Sequence, residues 1–139
     1  MRVENWDSKL QKIITNTINQ DHFKYGKNDC ITFTLKCIET ITGKKVFDYK
    51  WKSLKHGKEI IKKLKKKDLL DIATHIAKEN NFKLIDIKFA QRGDVLYYKD
   101  KFDWDGTLGV CIGSNTMFNW KKGINLVMNN QCKYCWRIE

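Results

Sequence analysis

The chain has 139 residues, 42% hydrophobic and 31% charged, with a formal net charge of +11. That length suits one domain, residues 1–139, with one core, and the composition is globular rather than disordered. The longest uncharged run, Gly106 to Trp120, holds polar residues and is too short to span a bilayer, and the MRVENWDSKL start lacks the apolar stretch of a signal peptide.

The expectation is a soluble chain made in the cytoplasm, with no membrane span. Its cysteines (Cys30, Cys37, Cys111, Cys132 and Cys135) are odd in number and expected to be reduced. Taken in chain order, Trp6, Leu10, Ile13, Ile14 and Ile18 recur at helical spacing, with Asn5 or Asp7 as N-cap. DHFKYGKN then breaks the helix and turns the chain. Cys30, Phe33, Cys37, Ile38 and Ile41 make a second helical stripe, capped by Asp29 and ended by Gly43. A third helix holds Leu54, Ile60, Ile61 and Leu64. A fourth starts from Asp68, turns Leu69, Ile72, Ala73, Ile76 and Ala77 inward, and ends at Asn80-Asn81.

The pattern then changes period. FKLIDIKF alternates, and RGDVLYYKD, TLGVCIGS, TMFNWKK, GINLVMN and CKYCWRIE read as short strands between Gly, Asn and Asp turns. Helices followed by an antiparallel meander give an α+β class.

The charge is uneven. Eight lysines fall between positions 52 and 67 against one acid, Glu59. The plain reading is a solvated helix face; the functional one is a contact for an acidic partner or nucleic acid. Of the 27 basic residues only Arg2, Arg92 and Arg137 are arginines, the type suited to bidentate phosphate and base contacts, which argues against nucleic acid.

Cys30 lies at the first position of a helix, where free amides and the macrodipole favour a thiolate. It also lies on the apolar stripe, so a packed core residue is the competing reading. Cys132 and Cys135 form a lone CxxC without further ligands, and no metal or cofactor is expected. If CKYCWRI is a strand throughout, the two side chains point to opposite faces. Arg92-Gly93-Asp94 reads as a strand-entry turn. The glycines of GTLGVCIGS lack the spacing of a nucleotide loop. His56 and His75 read as helix-surface residues, and His22 lies in the loop before Cys30.

Phe23-Lys24-Tyr25-Gly26, Asp29-Cys30, GDVLYY from Gly93 and TLGVCIG from Thr107 occur in the order of the NlpC/p60 cysteine peptidases. That pattern has a Y-x-W-G turn, Asp-Cys at a helix start, then G-D-x-x-x-[FY] and H-[VL]-G-[IV]-x-[IV]-G strands. The chain resembles this papain-like superfamily over most of its length, and is similar above all to a compact bacteriophage-tail branch without established activity. The resemblance implies a papain-like fold with N-terminal helices on an antiparallel meander sheet.

It also implies site roles. Cys30 is the nucleophile equivalent, Thr107 stands at the position of the histidine base, Asn119 stands at the position that orients the histidine, and Phe23 replaces a site tyrosine. A threonine hydroxyl does not accept the cysteine proton near neutral pH. His22 is the substitute base to consider. The resemblance thus implies a degenerate, non-catalytic domain serving as a structural or assembly component of the virion tail, with other tail proteins as partners. The alternative is an active thiol hydrolase or amidase cleaving peptidoglycan stem peptides, and a Lys-rich nucleic-acid binder is the third reading. Thr107 and Asn119 are expected on neighbouring strands, both facing Cys30.

Overall fold

The computed structural model describes residues 1–20, 22–100 and 104–139. Asp21, part of the expected DHFKYGKN turn, lies outside the described residues. Helix α1 (Trp6–Ile18) buries Leu10, Ile14 and Thr17; Asn5 is its N-cap but is left-handed, with φ 57°, and makes no side-chain cap bond. Helix α2 (Cys30–Thr42) starts on a capping box between Asp29 and Thr32 and ends on left-handed Gly43, with φ 74°. It buries Cys30, Ile31, Phe33, Thr34, Cys37, Ile38, Ile41 and Thr42, too many for one amphipathic stripe, so α2 is the central helix. Helix α3 (Leu54–Lys63) is capped by Ser53, which accepts from the His56 amide, and α4 (Leu69–Glu79) by Asp68, which accepts from the Asp71 amide. The Ser53 cap was not among the caps read from sequence.

Six antiparallel strands form one sheet in the order β1-β6-β2-β3-β4-β5. Strands β2 (Val95–Tyr98), β3 (Thr107–Cys111), β4 (Asn115–Trp120) and β5 (Gly123–Met128) follow one another as a meander. Strand β6 (Tyr134–Arg137) does not extend it; the chain returns and inserts β6 between β1 (Lys83–Ile85) and β2. The expected simple meander is corrected here. The reason is burial: Cys135 and Trp136 point to opposite faces and both are buried, which suits an interior strand, whereas most of β5 is exposed and takes an edge. The FKLIDIKF segment is a strand only over β1. Asp86 then accepts from the Lys88 amide and starts a 3₁₀ turn at Ile87–Phe89.

Cross-strand partners share a face, so the strand pairings sort the sheet into two sides. Val95 pairs with Val110 and Trp136, and Tyr97 with Leu108; these residues join Met117 and the four helices in the larger core. Leu96 pairs with Gly109 and Cys135; Leu96 and Cys135 join Cys111, Phe118, Val127 and Cys132 in a smaller core on the far side.

Cys132 and Cys135 therefore lie in the same core, which corrects the expectation that they face opposite sides. Strand β6 begins only at Tyr134, after a 3₁₀ turn at Asn129–Gln131, so strand alternation does not run back to Cys132. No cysteine is in a disulfide. At the entry to β2, the buried Asp94 accepts from Arg137 Nε at 2.8 Å and from the Gln91 amide at 2.8 Å, tying β6 to the Arg92-Gly93-Asp94 turn.

Candidate functional site around Cys30

The loop before α2 is closed by its own backbone. The amides and carbonyls of Lys24 and Asn28 bond to each other at 2.8 and 3.0 Å, and Gly26 turns the chain at φ 80°. Glycine is required there twice over: its φ is left-handed, and a Cβ would lie 1.7 Å from the Trp51 carbonyl oxygen. Phe23 and Tyr25 pack edge to face, with centroids 4.9 Å apart.

Asp29 is fully buried and its carboxylate is saturated. One oxygen accepts from the Gly26 amide at 2.7 Å and Trp51 Nε1 at 2.9 Å; the other accepts from the Thr32 amide at 2.7 Å and Thr32 Oγ1 at 2.9 Å. It therefore joins the turn, the start of α2 and the segment before α3. Cys30 follows it, 5% exposed and packed in the helix-side core. The two sequence readings of Cys30, helix-start residue and core residue, both describe its position.

Asn119 lies on β4, buried, in step with Met117 on the helix side. Its Nδ2 donates to Asn28 Oδ1 at 2.7 Å, and the Asn28 side chain in turn donates from Nδ2 to the His22 carbonyl. Asn119 thus reaches the loop two residues before Cys30, on the side expected of it. His22 itself is exposed, and its backbone carbonyl is the group bonded into the loop.

Thr107 is placed differently. It pairs with Tyr98, whose ring packs at a tilt against Phe118 and Trp120 on the far side of the sheet. Its side chain therefore points away from α2, contrary to the expectation that it faces Cys30, because β3 is in step with Tyr97–Leu108 and not with Tyr97–Thr107 pairing. Its Oγ1 is buried without a hydrogen-bond partner among the described residues. Toward α2, β3 presents Leu108 and Val110, and before them Gly106, where a Cβ would meet the Tyr97 ring 2.2 Å from its hydroxyl oxygen. None of these side chains accepts a proton.

The remaining thiols are held neutral. Burial pushes the Cys37, Cys111 and Cys135 thiols up, and Cys132 up to about 11. Among the described residues no group of three or more His, Cys, Asp or Glu is arranged to hold a metal ion. No described helix is long and apolar enough to cross a membrane.

Sequence reasoning missed Asn28 and Trp51. A polar residue beside Asp-Cys and a tryptophan at the border of a lysine run carried no local signal, since their partners are 91 and 22 positions away.

No curated protein matches the chain. The family described as "Domain of unknown function (DUF6950)" matches residues 1–138, and the protein belongs to that family.

Proposed function

We propose that this is a degenerate, non-catalytic NlpC-like domain that works by protein–protein contact as a structural or assembly component of a bacteriophage tail. The observation that carries the non-catalytic part is the facing of β3. It turns Leu108 and Val110 toward α2 and Thr107 away, so the strand that supplies the base in NlpC/p60-like enzymes sets no proton acceptor over Cys30. The saturated Asp29 is likewise occupied with helix capping and with Trp51. The tail assignment rests on the order of FKYG, DC, GDVLYY and TLGVCIG and its resemblance to the phage-tail branch.

One feature supports the alternative, a thiol hydrolase acting on peptidoglycan stem peptides: Cys30 occupies the first helical position, where a thiolate is favoured. Amine release from cell-wall fragments by wild type and Cys30→Ala, run in parallel, separates the two. The proposal expects no turnover from either; turnover that disappears with Cys30 refutes it, and His22 becomes the first base to test.

A further inference from the structure

The two edges of the sheet are guarded differently. Strand β1 is three residues long, carries the exposed Lys83 and is followed at once by a 3₁₀ turn, the short and charged form in which an edge resists further pairing. Strand β5 has none of these devices. Its six residues include no charge and no proline, and among the described residues its backbone is hydrogen-bonded to β4 alone. Its outer N–H and C=O groups are therefore open to another strand.

The side chains of β5 divide cleanly between the faces. Ile124, Leu126 and Met128 pair with Asn119, Met117 and Asn115 and lie on the helix side, whereas Asn125 and Val127 lie on the far side with Phe118 and Thr116. Ile124 packs on the helix-side core, but Leu126 and Met128 are 52% and 53% exposed. On a chain of net charge +11, β5 is thus an uncharged edge with two large apolar side chains in the open.

We propose that β5 pairs with β5 of a second copy of this chain, antiparallel about a two-fold axis at Leu126, so that two sheets become one. The strand is its own complement in that register. Leu126 lies beside Leu126 of the second copy and Ile124 beside its Met128, which carries one apolar row across the junction. Neighbouring registers lose this match. A slip of one residue brings the apolar row level with the far-side row, Asn125 and Val127, of the other copy. A slip of two sets Met128 beside Lys122 in one direction and Ile124 beside Asn130 in the other. Charge selects the same register, because Lys121 and Lys122 then fall next to Gln131 and Asn130 of the second copy. No lysine meets a lysine, although both chains are strongly basic. A strand of a different protein has no such register written into this chain. The proposal is independent of the tail reading and of whether Cys30 is catalytic.

The test is sedimentation velocity of the full chain. A two-strand junction is at the small end of interfaces, so a dimer should form with a Kd on the order of 10 μM, read across about 1 to 300 μM. Leu126→Lys sets two like charges opposite each other at the axis and should weaken the dimer by about tenfold or more. Because Leu126 is half exposed, the dilute variant should melt with wild type. Leu84→Lys, the same change at a 61% exposed position of β1, should leave the dimer unchanged. As a second readout, a short bis-maleimide should join Leu126→Cys chains in pairs but not Leu84→Cys chains, since the five native cysteines are buried. A dimer that survives Leu126→Lys, equal loss in Leu84→Lys, no linkage through position 126, or growth past the dimer overturns the proposal. A monomer throughout the range also overturns it, and leaves the edge to a strand of a different protein.

Discussion

The two faces of the sheet are built differently, and Cys30 and Thr107 fall on opposite ones. The helix face is deep, closed by four helices, and anchored by a buried polar network in which Asp29 and Asn119 find partners, with Thr34 Oγ1 of α2 the one buried side-chain polar atom there without a partner among the described residues. The far face is thin, covered by two 3₁₀ turns, and rich in thiols and aromatic rings; there Thr107 Oγ1 and Trp120 Nε1 are buried without partners among the described residues. A satisfied polar network fixes a unique geometry, whereas an unpaired buried hydroxyl costs free energy and fixes nothing. The difference teaches that the loop–helix–strand frame around Cys30 is held by a buried polar network, while Thr107 belongs to the packing layer of the opposite face.

The sharpest way to break this contrast is at Asp29. Asp29→Ala removes the α2 cap and strands the Trp51 indole N–H and the Gly26 amide. It should cost about 3 kcal/mol, roughly one lost cap plus the desolvation of orphaned donors. Urea denaturation reads this directly, and a loss below about 1 kcal/mol, the size of a surface cap alone, contradicts the anchoring role. Next in size is Gly109→Ala on the far face. Its Cβ would lie 2.5 Å from the Met117 carbonyl oxygen and 2.6 Å from the Phe118 ring. Overpacking against backbone should destabilise by about 2 kcal/mol, seen as a lower melting temperature.

Thr107→Val should move the other way. It replaces an unpartnered buried hydroxyl by a methyl of the same shape and should raise stability by about 1 kcal/mol; a loss means that the hydroxyl has a partner.

The smallest effect within the accessible pH range comes from the thiols. Burial raises Cys132 from 9.0 to about 11, so the unfolded chain loses this proton first. Stability from this group is constant below about pH 9 and declines as pH rises from there through about 11. Urea midpoints measured on both sides of pH 9 should fall less steeply in Cys132→Ala than in wild type.

Much of the helix side was legible in the sequence because caps are local. Asp29, Gly43 and Asp68 mark their helix ends through bonds to residues a few positions away, and all three boundaries are where the sequence places them. The sheet was legible as a set of strands but not as an arrangement. Insertion of β6 next to β2 is a pairing between residues about 40 positions apart, such as Val95 and Trp136, and no local pattern encodes it. The facing of Thr107 failed for a related reason. All five residues of β3 are buried, so its hydrophobicity has no alternation from which a face can be read. Only the pairing of Thr107 with Tyr98 sets the face, and that is a tertiary fact. Strand β6 starts at Tyr134, two residues after Cys132, so the alternation of CKYCWRI does not set how Cys132 faces relative to Cys135.

The central claim is that residue 107 and Cys30 do not communicate across the sheet. The direct measurement is the rate of Cys30 alkylation against pH, read at that residue by mass spectrometry, in wild type and in Thr107→His. The account predicts superimposable profiles, because an imidazole at 107 joins the far-side layer of Tyr98 and Trp120. Faster alkylation in Thr107→His, with an inflection near the ordinary histidine pKa of about 6.5, would show a histidine reaching the thiol and would contradict the account.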